Sequence, residues 1–431
     1  MTHMKSQFEE FQSAQPIGRE ELQEKTGFSG EGQVIQGPWA ATKPRVLLSV
    51  HEDMSEIREI WHQLEDEGDC SVFQTYAWLS NWMRHIGTLR RVRPQIVVGW
   101  DASGEALFLF PLAIEGNLVA KKLVWLGGEL AEYPGPILAK DFVRRVRPGQ
   151  FPALWDEVRA LLPKHHLVAL NRMTKRAGEQ ANPFMELGGL SEHNCASHST
   201  TLTADWESYY GGKRSSSSKK RDRQKRRKMG EIGEIAFAMH ADDEEKVETI
   251  ETLMAQKARS FARMGVANIF DRPGYREFYK ALATDADSDI ARVSSLTVAD
   301  DVVAANLCVS FNGRFYDLLA SYDEASEAAR FGPGVVQQME LMNHAIETGH
   351  TVFDFTMGDE AYKAIWCENT QYLYNHFDAK GVRGSIAAFP ARGIIRLKRF
   401  VKNTPLFCNA YLKLRSCRSM LTFGRAATVS A

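Results

Sequence analysis

The spacing of hydrophobic residues in the first half of the chain predicts strands and helices in mixed order. Residues 45–50 form an apolar run typical of a strand, and apolar positions three or four apart predict two helices before residue 86. Apolar segments on both sides of an Asp-Ala-Ser-Gly turn predict a β-hairpin over 95–114. The remaining elements predicted in this half are strands near 122–126, 137–138 and 166–170, and a helix near 152–161.

The second half repeats this order of elements. A strand at 234–240 precedes a long helix at 242–264 and a shorter helix after Pro273. Three strands then form a meander over 291–321, in which Asn312-Gly313 is typical of a tight hairpin turn. The repetition predicts an internal duplication and an α/β (α+β) fold, with a mainly antiparallel twisted sheet flanked by helices in each half. The last predicted elements are a helix at 334–348 and strands at 351–356 and 372–378.

The composition of the chain excludes several classes of protein. Its 431 residues are 44% hydrophobic, which is enough for packed cores and too much for a disordered chain. The longest apolar run has eight residues, whereas a membrane-spanning helix needs about 20. Six separated cysteines favour neither a disulfide framework nor a zinc ribbon, and early glutamates disfavour a secretory signal, so we expect a cytoplasmic protein. The motifs of P-loop enzymes, zinc proteases, serine hydrolases and dinucleotide-binding folds do not occur.

A strand is joined to a helix in segment 321–336 through the sequence Arg-Phe-Gly-Pro-Gly. The first amides of a helix lack intrahelical acceptors and carry partial positive charge, so such a start suits an anion such as a pyrophosphate. Pro333 has the fixed backbone angle that suits the first helical turn. The alternative is an ordinary Pro-Gly helix start behind a surface loop. The residues of this candidate binding site are Arg330, Gly332, Gly334, Val335, Val336 and Gln337.

A second candidate site lies in segment 353–366, where a buried strand ends at a glycine turn. A carboxylate in this turn can accept a proton from an attacking amine or hydroxyl, and a tyrosine can return one to a leaving thiolate. The alternative is a capped helix with solvated charges. The candidate catalytic residues are Asp359, Glu360, Tyr362 and Lys363.

A strongly basic segment covers residues 213–228, with ten Lys or Arg and one Asp, although the whole chain carries a net charge of −1. The segment contains no large apolar residue, so burial in a core cannot hold it as a helix. It suits the phosphates of a cofactor, a lipid-linked substrate, RNA or an anionic membrane surface, and it could equally be a solubilising arm. A basic amphipathic pattern at 392–402 similarly fits either a membrane surface or its own domain.

Several motifs occur in the order found in a two-domain branch of the GNAT superfamily that includes the CelD/BcsL-type acetyltransferases of cellulose and exopolysaccharide clusters. In the first half these are VFQTYAWLSNW at 72–82, LFPLAI at 109–114, LVWLGG at 123–128 and EYPGPIL at 132–138. In the second half they are the basic helix at 219–237, the helix that carries Lys257, the meander at 302–320, the FGPG helix start and FDFTMGDEAYKAIW. The chain resembles this family over about residues 45–380.

The resemblance implies tandem GNAT-like domains at 45–200 and 201–385, between a flexible extension at 1–44 and a basic helical tail at 386–431. It implies acyl transfer from acetyl-CoA or another acyl-CoA, without a metal, to an amine or hydroxyl of a small-molecule or glycan acceptor. GNAT pyrophosphate loops usually read Gln/Arg-x-x-Gly-x-Gly/Ala, and one residue fewer separates Arg330 from the first glycine here.

Two other functions stay open at the level of the sequence. The same double fold resembles the FemABX peptidyltransferases, which use aminoacyl-tRNA, and the basic segment would then bind tRNA. A chain with a degenerate GNAT pocket would instead act as a non-catalytic scaffold for a synthase complex. In either case the basic segment could also place a cytoplasmic protein at the inner face of a membrane.

Overall fold

The computed structural model describes residues 46–116, 120–360, 362–381 and 384, together with the backbone of 33–36. The predicted tail at 386–431, its amphipathic segment at 392–402 and most of the predicted extension at 1–44 lie outside the described residues. Within that extension, residues 33–36 form a strand that pairs antiparallel with the first predicted strand.

The strands follow the predicted order in outline, with additional short strands in the first half. They are β1 (Gln33–Gln36), β2 (Leu47–His51), β3 (Arg93–Trp100), β4 (Ala106–Gly116), β5 (Lys121–Trp125), β6 (Ile137–Leu138), β7 (Leu167–Met173), β8 (Arg176–Ala177), β9 (Gln180–Ala181), β10 (Leu190–Thr201), β11 (Ile235–His240), β12 (Ala291–Val298), β13 (Asp301–Phe311), β14 (Arg314–Tyr322), β15 (Val352–Met357) and β16 (Asn369–Ala379).

The helices connect these strands, and several begin at residues that cap them. Asp242 accepts hydrogen bonds from the first amides of the longest helix, and Ser215 accepts one at the start of the basic helix. The α-helices are α1 (Arg58–Glu67), α2 (Tyr76–Trp82), α3 (Phe142–Arg145), α4 (Phe151–Leu161), α5 (Trp206–Lys213), α6 (Ser216–Gly230), α7 (Asp243–Arg263), α8 (Tyr275–Ala283), α9 (Pro333–Glu347) and α10 (Lys363–Trp366).

The chain forms two compact units, and the first comprises residues 1–76, 92–191 and 375–385. Its strands lie in the order β1-β2-β3-β4-β5-β7, antiparallel except for the parallel pair β5–β7. Strand β4 is apolar on both faces, and Phe110 packs against aromatic rings that helix α4 and the loop before β10 provide. The core of this unit is therefore aromatic, centred on Phe110, Phe151, Trp155 and Phe184.

The second unit comprises residues 77–91, 192–374 and 386–431. Its strands lie in the order β16-β10-β15-β14-β13-β12-β11, and β14–β15 is a parallel pair within an otherwise largely antiparallel arrangement. Helix α7 packs on β12, β13 and β14, and helix α9 packs on β13 and β14. Along the sequence, both halves of the chain thus contain two helices, an antiparallel meander, a further helical segment and a strand of a parallel pair in the same order, which confirms the predicted fold class.

One segment from the first half of the chain belongs to the second unit. Trp78 packs edge-on against Phe278 of α8, with ring centroids 5.3 Å apart. Arg90 donates a hydrogen bond to the hydroxyl of Tyr275, and Asn81 donates one to Asp285. Segment 77–91 joins the second unit through contacts between residues about 200 positions apart. Hydrophobic periodicity along the chain cannot predict such contacts. The domain boundaries given above from the resemblance stay a prediction.

Candidate functional site

The most unusual backbone feature of the second unit is the parallel pair β14–β15, whose pairing ends early. The two strands pair at Phe315 with Phe353 and at Tyr316 with Asp354, with no pair beyond that point in these fully described strands. Strand β14 nevertheless continues to Tyr322. Beyond Tyr316, the backbone groups of β14 that would face β15 therefore have no backbone partner on that strand. We call the region between residues 317–322 of β14 and 355–357 of β15 the wedge.

Two bulges produce this wedge. The register between β13 and β14 shifts so that Leu318 is an extra residue on β14. The register between β10 and β15 shifts in the same way and adds one residue to β15 near Thr356. Thr356 has a φ of 58°, which is rare for a β-branched residue, and its hydroxyl donates to the carbonyl of Asp317. Because bulges bend strands and redirect side chains, they occur often beside active sites.

A cluster of charged side chains lies at the wedge, and Asp317 is its centre. The Asp317 carboxylate is buried and accepts a hydrogen bond of 2.9 Å from the side-chain amide of Asn306. Burial raises the pKa of Asp317, although Asn306 and the nearby Lys363 and Lys257 act in the opposite direction. We call Asp317, Lys257, Glu360, Tyr362 and Lys363 the charged cluster.

Two lysines of the charged cluster bind backbone carbonyls. Lys363 is buried, and its Nζ donates to the carbonyl of Met357 at 3.1 Å and forms an ion pair with Glu360 at 2.9 Å. Lys257 of helix α7 donates to the carbonyl of Ala320 at 3.1 Å. Burial lowers the pKa of Lys257, while the carboxylates of Asp317 and Glu360 oppose the shift. The lysines therefore hold both strands of the wedge at their carboxyl ends.

Tyr362 follows the carboxyl end of β15, and it is 40% exposed. Desolvation of its hydroxyl raises the pKa of the phenol, and the carboxylates of Asp317 and Glu360 raise it further. A phenol is protonated at neutral pH even without such a shift, so the hydroxyl can donate a hydrogen bond. The predicted carboxylates differ in their partners: Glu360 pairs with Lys363, whereas Asp359 lies 3.2 Å from Nε2 of His198.

The Gly-Pro-Gly segment, in which the sequence predicts an anion site, forms the start of α9. Gly332 has φ 71° and ψ 60°, a left-handed conformation that favours glycine, and Pro333 begins the helix. The amides of Val335 and Val336 both donate to the carbonyl of Gly332, at 3.0 and 3.4 Å. The amide of Gly334 makes no hydrogen bond within this turn, so it is available as a donor. We call residues 332–334 the glycine turn.

Two residues predicted at the glycine turn have other contacts. The guanidinium of Arg330 pairs with Glu327 at 2.7 Å and lies over the ring of Phe331. The Gln337 side chain is fully buried and donates to the hydroxyl of Ser294 at 2.9 Å. Their predicted role as anion ligands stays a prediction, and the structure gives no contact of either side chain with the turn.

The basic helix α6 lies beside the glycine turn, a proximity that the sequence left open. The Nζ of Lys225 is 3.6 Å from the position that a Cβ on Gly332 would have. Arg226 forms an ion pair with Glu340 of helix α9. The helix is held by a counter-charge, because the buried Asp222 accepts bonds from Arg214 at 2.8 to 3.0 Å and from the Tyr210 hydroxyl at 2.9 Å. The ammonium group of Lys225 therefore lies beside the start of α9.

The glycine turn and the charged cluster belong to the same edge of the parallel pair. Helix α9 follows the carboxyl end of β14, and the loop with Asp359 and Glu360 follows the carboxyl end of β15. Carboxyl ends of parallel strands share one edge of a sheet, which is where open α/β sheets bind ligands. The sequence indicated the basic segment that contains Lys225 but did not single out Lys225, Asp317 or His198, because their partners are distant along the chain.

A buried carboxylate with a raised pKa predicts how stability depends on pH. Because the folded-state pKa of Asp317 lies above its unfolded value, its contribution to stability is present at low pH and is lost as the pH rises through the folded-state pKa. Asp317→Asn keeps an acceptor for Asn306 and removes the charge. We expect the free energy of unfolding of the variant, relative to the native protein, to increase from acidic to neutral pH. Urea unfolding at several pH values measures this, and a constant difference would contradict it.

Other features of the second unit lie away from this edge. A surface cavity of about 460 Å³ is lined by Asp243, Lys246 and the loop 283–289, and none of the wedge residues contributes to it. Among the described residues, no group of three or more His, Cys, Asp or Glu could hold a metal ion. None of the described helices has the length and hydrophobicity to span a bilayer.

Comparison with known proteins shows what the second half of the chain resembles. Residues 216–364 match the family described as "Acetyltransferase (GNAT) domain". The chain is similar in structure to FemX, with a TM-score of 0.52 and 12% identity over 77% of this chain and 94% of that one. No curated protein matches it in sequence. The matched segment contains the basic helix, the glycine turn, the wedge and the whole charged cluster.

Two further solved structures are more distant. One is the "Tandem GNAT protein from the clavulanic acid biosynthesis pathway", with a TM-score of 0.41 and 12% identity over 78% of this chain and 99% of that one. The other is the C-terminal domain of a putative lysylphosphatidylglycerol synthetase from Agrobacterium fabrum, with a TM-score of 0.43 and 13% identity over 79% of this chain and 97% of that one.

Proposed function

We propose that the chain is an acyl-CoA-dependent N- or O-acyltransferase. The observation that carries the proposal is the wedge, which opens between β14 and β15 at the edge where α9 begins. Unpaired backbone groups on a strand bind extended chains that carry amides, because such a chain supplies the missing hydrogen bonds of the ladder. The pantetheine arm of coenzyme A is an extended chain with two amide groups, so it fits this requirement.

The glycine turn supplies the site for the pyrophosphate of the donor. The free amide of Gly334 and the dipole of α9 favour an anion, and Lys225 adds a full positive charge. The turn has room, since a Cβ on Gly334 would meet only the Tyr322 side chain, at 3.8 Å or more. The residues that would hold the donor are therefore Gly332, Gly334 and Lys225, with the backbone of 317–321 along the thioester.

The reaction transfers the acyl group to an amine or hydroxyl. The attacking atom loses a proton and bonds to the thioester carbonyl carbon, the C–S bond breaks, and the thiolate takes a proton. Tyr362 is the donor for the thiolate, because a phenol carries its proton at neutral pH and this one follows the carboxyl end of β15. The charges of Asp317 and Lys257 determine the electrostatic potential at the wedge. Lys363 holds the end of β15 in place through its bond to the Met357 carbonyl.

The pathway is proposed from the motif resemblance to CelD/BcsL-type acetyltransferases. It places the protein in polysaccharide or cell-envelope biosynthesis, in the cytoplasm or at the inner face of the membrane, with a glycan or small-molecule acceptor. Acetyl-CoA is the first donor to test, and longer acyl-CoAs follow.

Calorimetric titration of the full chain with acetyl-CoA and longer acyl-CoAs tests the proposal. We expect binding, and we expect Lys225→Gln to weaken it about 10- to 150-fold, because one charged contact to a phosphate contributes about 1.5–3 kcal/mol. Lys220→Gln is the matched control, since Lys220 is exposed on the same helix, about 140° around its axis from Lys225. Absence of binding by every acyl-CoA to a folded protein would remove the proposal.

The second candidate function is transfer from aminoacyl-tRNA. It is favoured by the exposed cations of α6, among which Lys220 and Arg223 have no ion-pair partner within the described residues. The charge-neutralising changes Lys220→Gln and Arg223→Gln should then weaken tRNA binding as much as Lys225→Gln does, with steep loss of affinity in added salt. A scaffold with a degenerate pocket would bind neither donor.

A further inference from the structure

Strand β11 is the last strand in the order of the second unit. Among the described strands it pairs with β12 alone, over all six of its residues and without a bulge. The amide of Ala299 donates to the carbonyl of Glu234 just before β11, so this pair is one of the hydrogen-bonded pairs of the antiparallel ladder. Because such pairs alternate along a ladder, the next ones involve Ala236, Ala238 and His240.

The backbone groups of Ile235, Phe237 and Met239 therefore point away from β12. Each of these residues has one N–H and one C=O at the outer edge, and none of these groups has a partner within the part of the chain that the structure describes. An edge strand with unpaired groups is a template for another strand. Proteins usually protect such an edge with a lysine, a proline or a bulge, and β11 (IAFAMH) has none of these.

The two faces of β11 differ in their side chains. Ile235, Phe237 and Met239 are half-buried and pack on the apolar clusters to which α6 and α9 contribute. Ala236 and Ala238 point to the opposite face, and both are exposed. A strand that pairs with the outer edge would thus extend an apolar row on one face and meet two small side chains on the other.

A second copy of this chain fits the outer edge of β11. In antiparallel self-pairing, a two-fold axis at Phe237 pairs Phe237 with itself and Ile235 with Met239, so all six outward groups form hydrogen bonds. The same axis brings the segment before β11 of one copy toward the segment after β11 of the other. Residues 226–234 contain three cations and two carboxylates, whereas 241–246 contain four carboxylates and one lysine. The two segments therefore carry opposite net charge.

We propose that the chain forms a two-fold symmetric dimer through β11, in which Phe237 pairs with Phe237 of the partner subunit and the sheet continues across the axis. The proposal is independent of the acyltransferase function, because it uses no residue of the wedge, the glycine turn or the charged cluster. A pair of six-residue strands covers part of the about 1,200–2,000 Å² that stable interfaces bury, so we expect the dimer to dissociate in the micromolar range.

Sedimentation equilibrium of the full chain tests the proposal, with hydrogen exchange as the local measurement. We expect the mass to rise with concentration from the 48.5 kDa of one chain toward twice that value, and the Phe237 and Met239 amides to exchange more slowly as the dimer forms. A chain that stays monomeric at about 100 μM, far above a micromolar Kd, overturns the proposal. If these amides are protected in a monomer, another segment of the chain covers the edge, and the proposal is wrong as well.

Two double variants test the register of the pairing. The axis at Phe237 puts Ala236 directly opposite Ala238 of the partner subunit, in a non-hydrogen-bonded pair whose side chains lie close together. Ala236→Lys with Ala238→Lys places like charges opposite each other twice, and we expect it to weaken the dimer about tenfold. Ala236→Lys with Ala238→Glu is the matched control, because it places opposite charges at the same positions, and we expect it to retain the dimer.

Neither double variant should disturb the fold, because both alanines are exposed, and urea unfolding checks this. The comparison separates the register from the general effect of charge on an edge strand, since both variants carry two charged side chains there. If the two variants have equal dimer affinities, β11 does not pair in this register and the proposal is wrong.

Discussion

Gly334→Trp is expected to abolish measurable binding of acyl-CoA while the protein stays folded. Among the described residues of the glycine turn, the amide of Gly334 is the one that makes no hydrogen bond within the turn. The large side chain would fill the space in front of this amide. Loss of charged hydrogen bonds to a pyrophosphate costs about 2–4 kcal/mol, which corresponds to an affinity loss of about 30- to 1,000-fold. Calorimetry with acetyl-CoA measures the effect, and thermal unfolding reports the fold.

Stability should not explain that loss. A Cβ at Gly334 would meet only atoms of Tyr322, at 3.8 and 4.0 Å, which is ordinary van der Waals contact, and Tyr322 is itself exposed. Replacing glycine near the start of a helix also removes backbone entropy from the unfolded chain. Gly212→Trp is the matched control, because a Cβ there would meet no atom within 4 Å. Equal affinities of the two variants would show that the glycine turn does not hold the phosphates.

Local signals in the sequence predicted the elements that position the site. The meander predicted over 291–321 is present as β12, β13 and β14, and its Asn312-Gly313 turn has positive φ at both residues, as a tight hairpin requires. The Gly-Pro-Gly sequence does begin a helix, with Pro333 in the first turn. These features depend on a few adjacent residues, so composition and spacing are sufficient to predict them.

The features of the site that the sequence did not predict depend on contacts between residues far apart along the chain. Strand β10 was not predicted, because its sequence is mostly polar and half-buried and has no apolar alternation. Its place in the sheet comes from ladder hydrogen bonds to β15, about 160 residues further along the chain. His198 reaches Asp359 only through that pairing, and Lys225 reaches Gly332 only because Asp222 anchors α6. The register of strand pairing decides which side chains come into contact here. The pattern of a single sequence does not specify that register between distant strands.

The chemical role predicted for a titratable side chain depends on the groups that surround it in the fold. Asp359 and Glu360 are adjacent and equivalent as candidate bases in the sequence, but one faces an imidazole and the other an ammonium group. That difference makes Glu360 part of a structural ion pair and Asp359 the carboxylate behind His198. Asp317 carries no motif, yet burial between Asn306 and the lysines makes it the most perturbed carboxylate at this edge. Electrostatic roles follow from neighbours, so they could not be predicted before the fold.

Lys363→Met is expected to be the most destabilising single change at the site. The lysine side chain is buried, and its Nζ donates to the carbonyls of Thr356 and Met357 and pairs with Glu360, whose side chain is 57% exposed. Its replacement by Met also removes a positive charge beside the buried Asp317. Removing the hydrogen bonds of a buried charged group costs about 1.5–3 kcal/mol, so we expect a loss of this size in the free energy of unfolding.

Urea unfolding measures this loss, and Lys246→Met provides the matched control. Lys246 forms an ion pair of 3.0 Å with Asp243 at the start of α7, but 65% of that carboxylate is exposed. Surface pairs of this kind contribute about 0–1 kcal/mol, so the control should change stability by less than about 1 kcal/mol. If Lys363→Met unfolds at the same urea concentration as Lys246→Met, the lysine does not hold the end of β15. The wedge would then owe its shape to the two bulges alone.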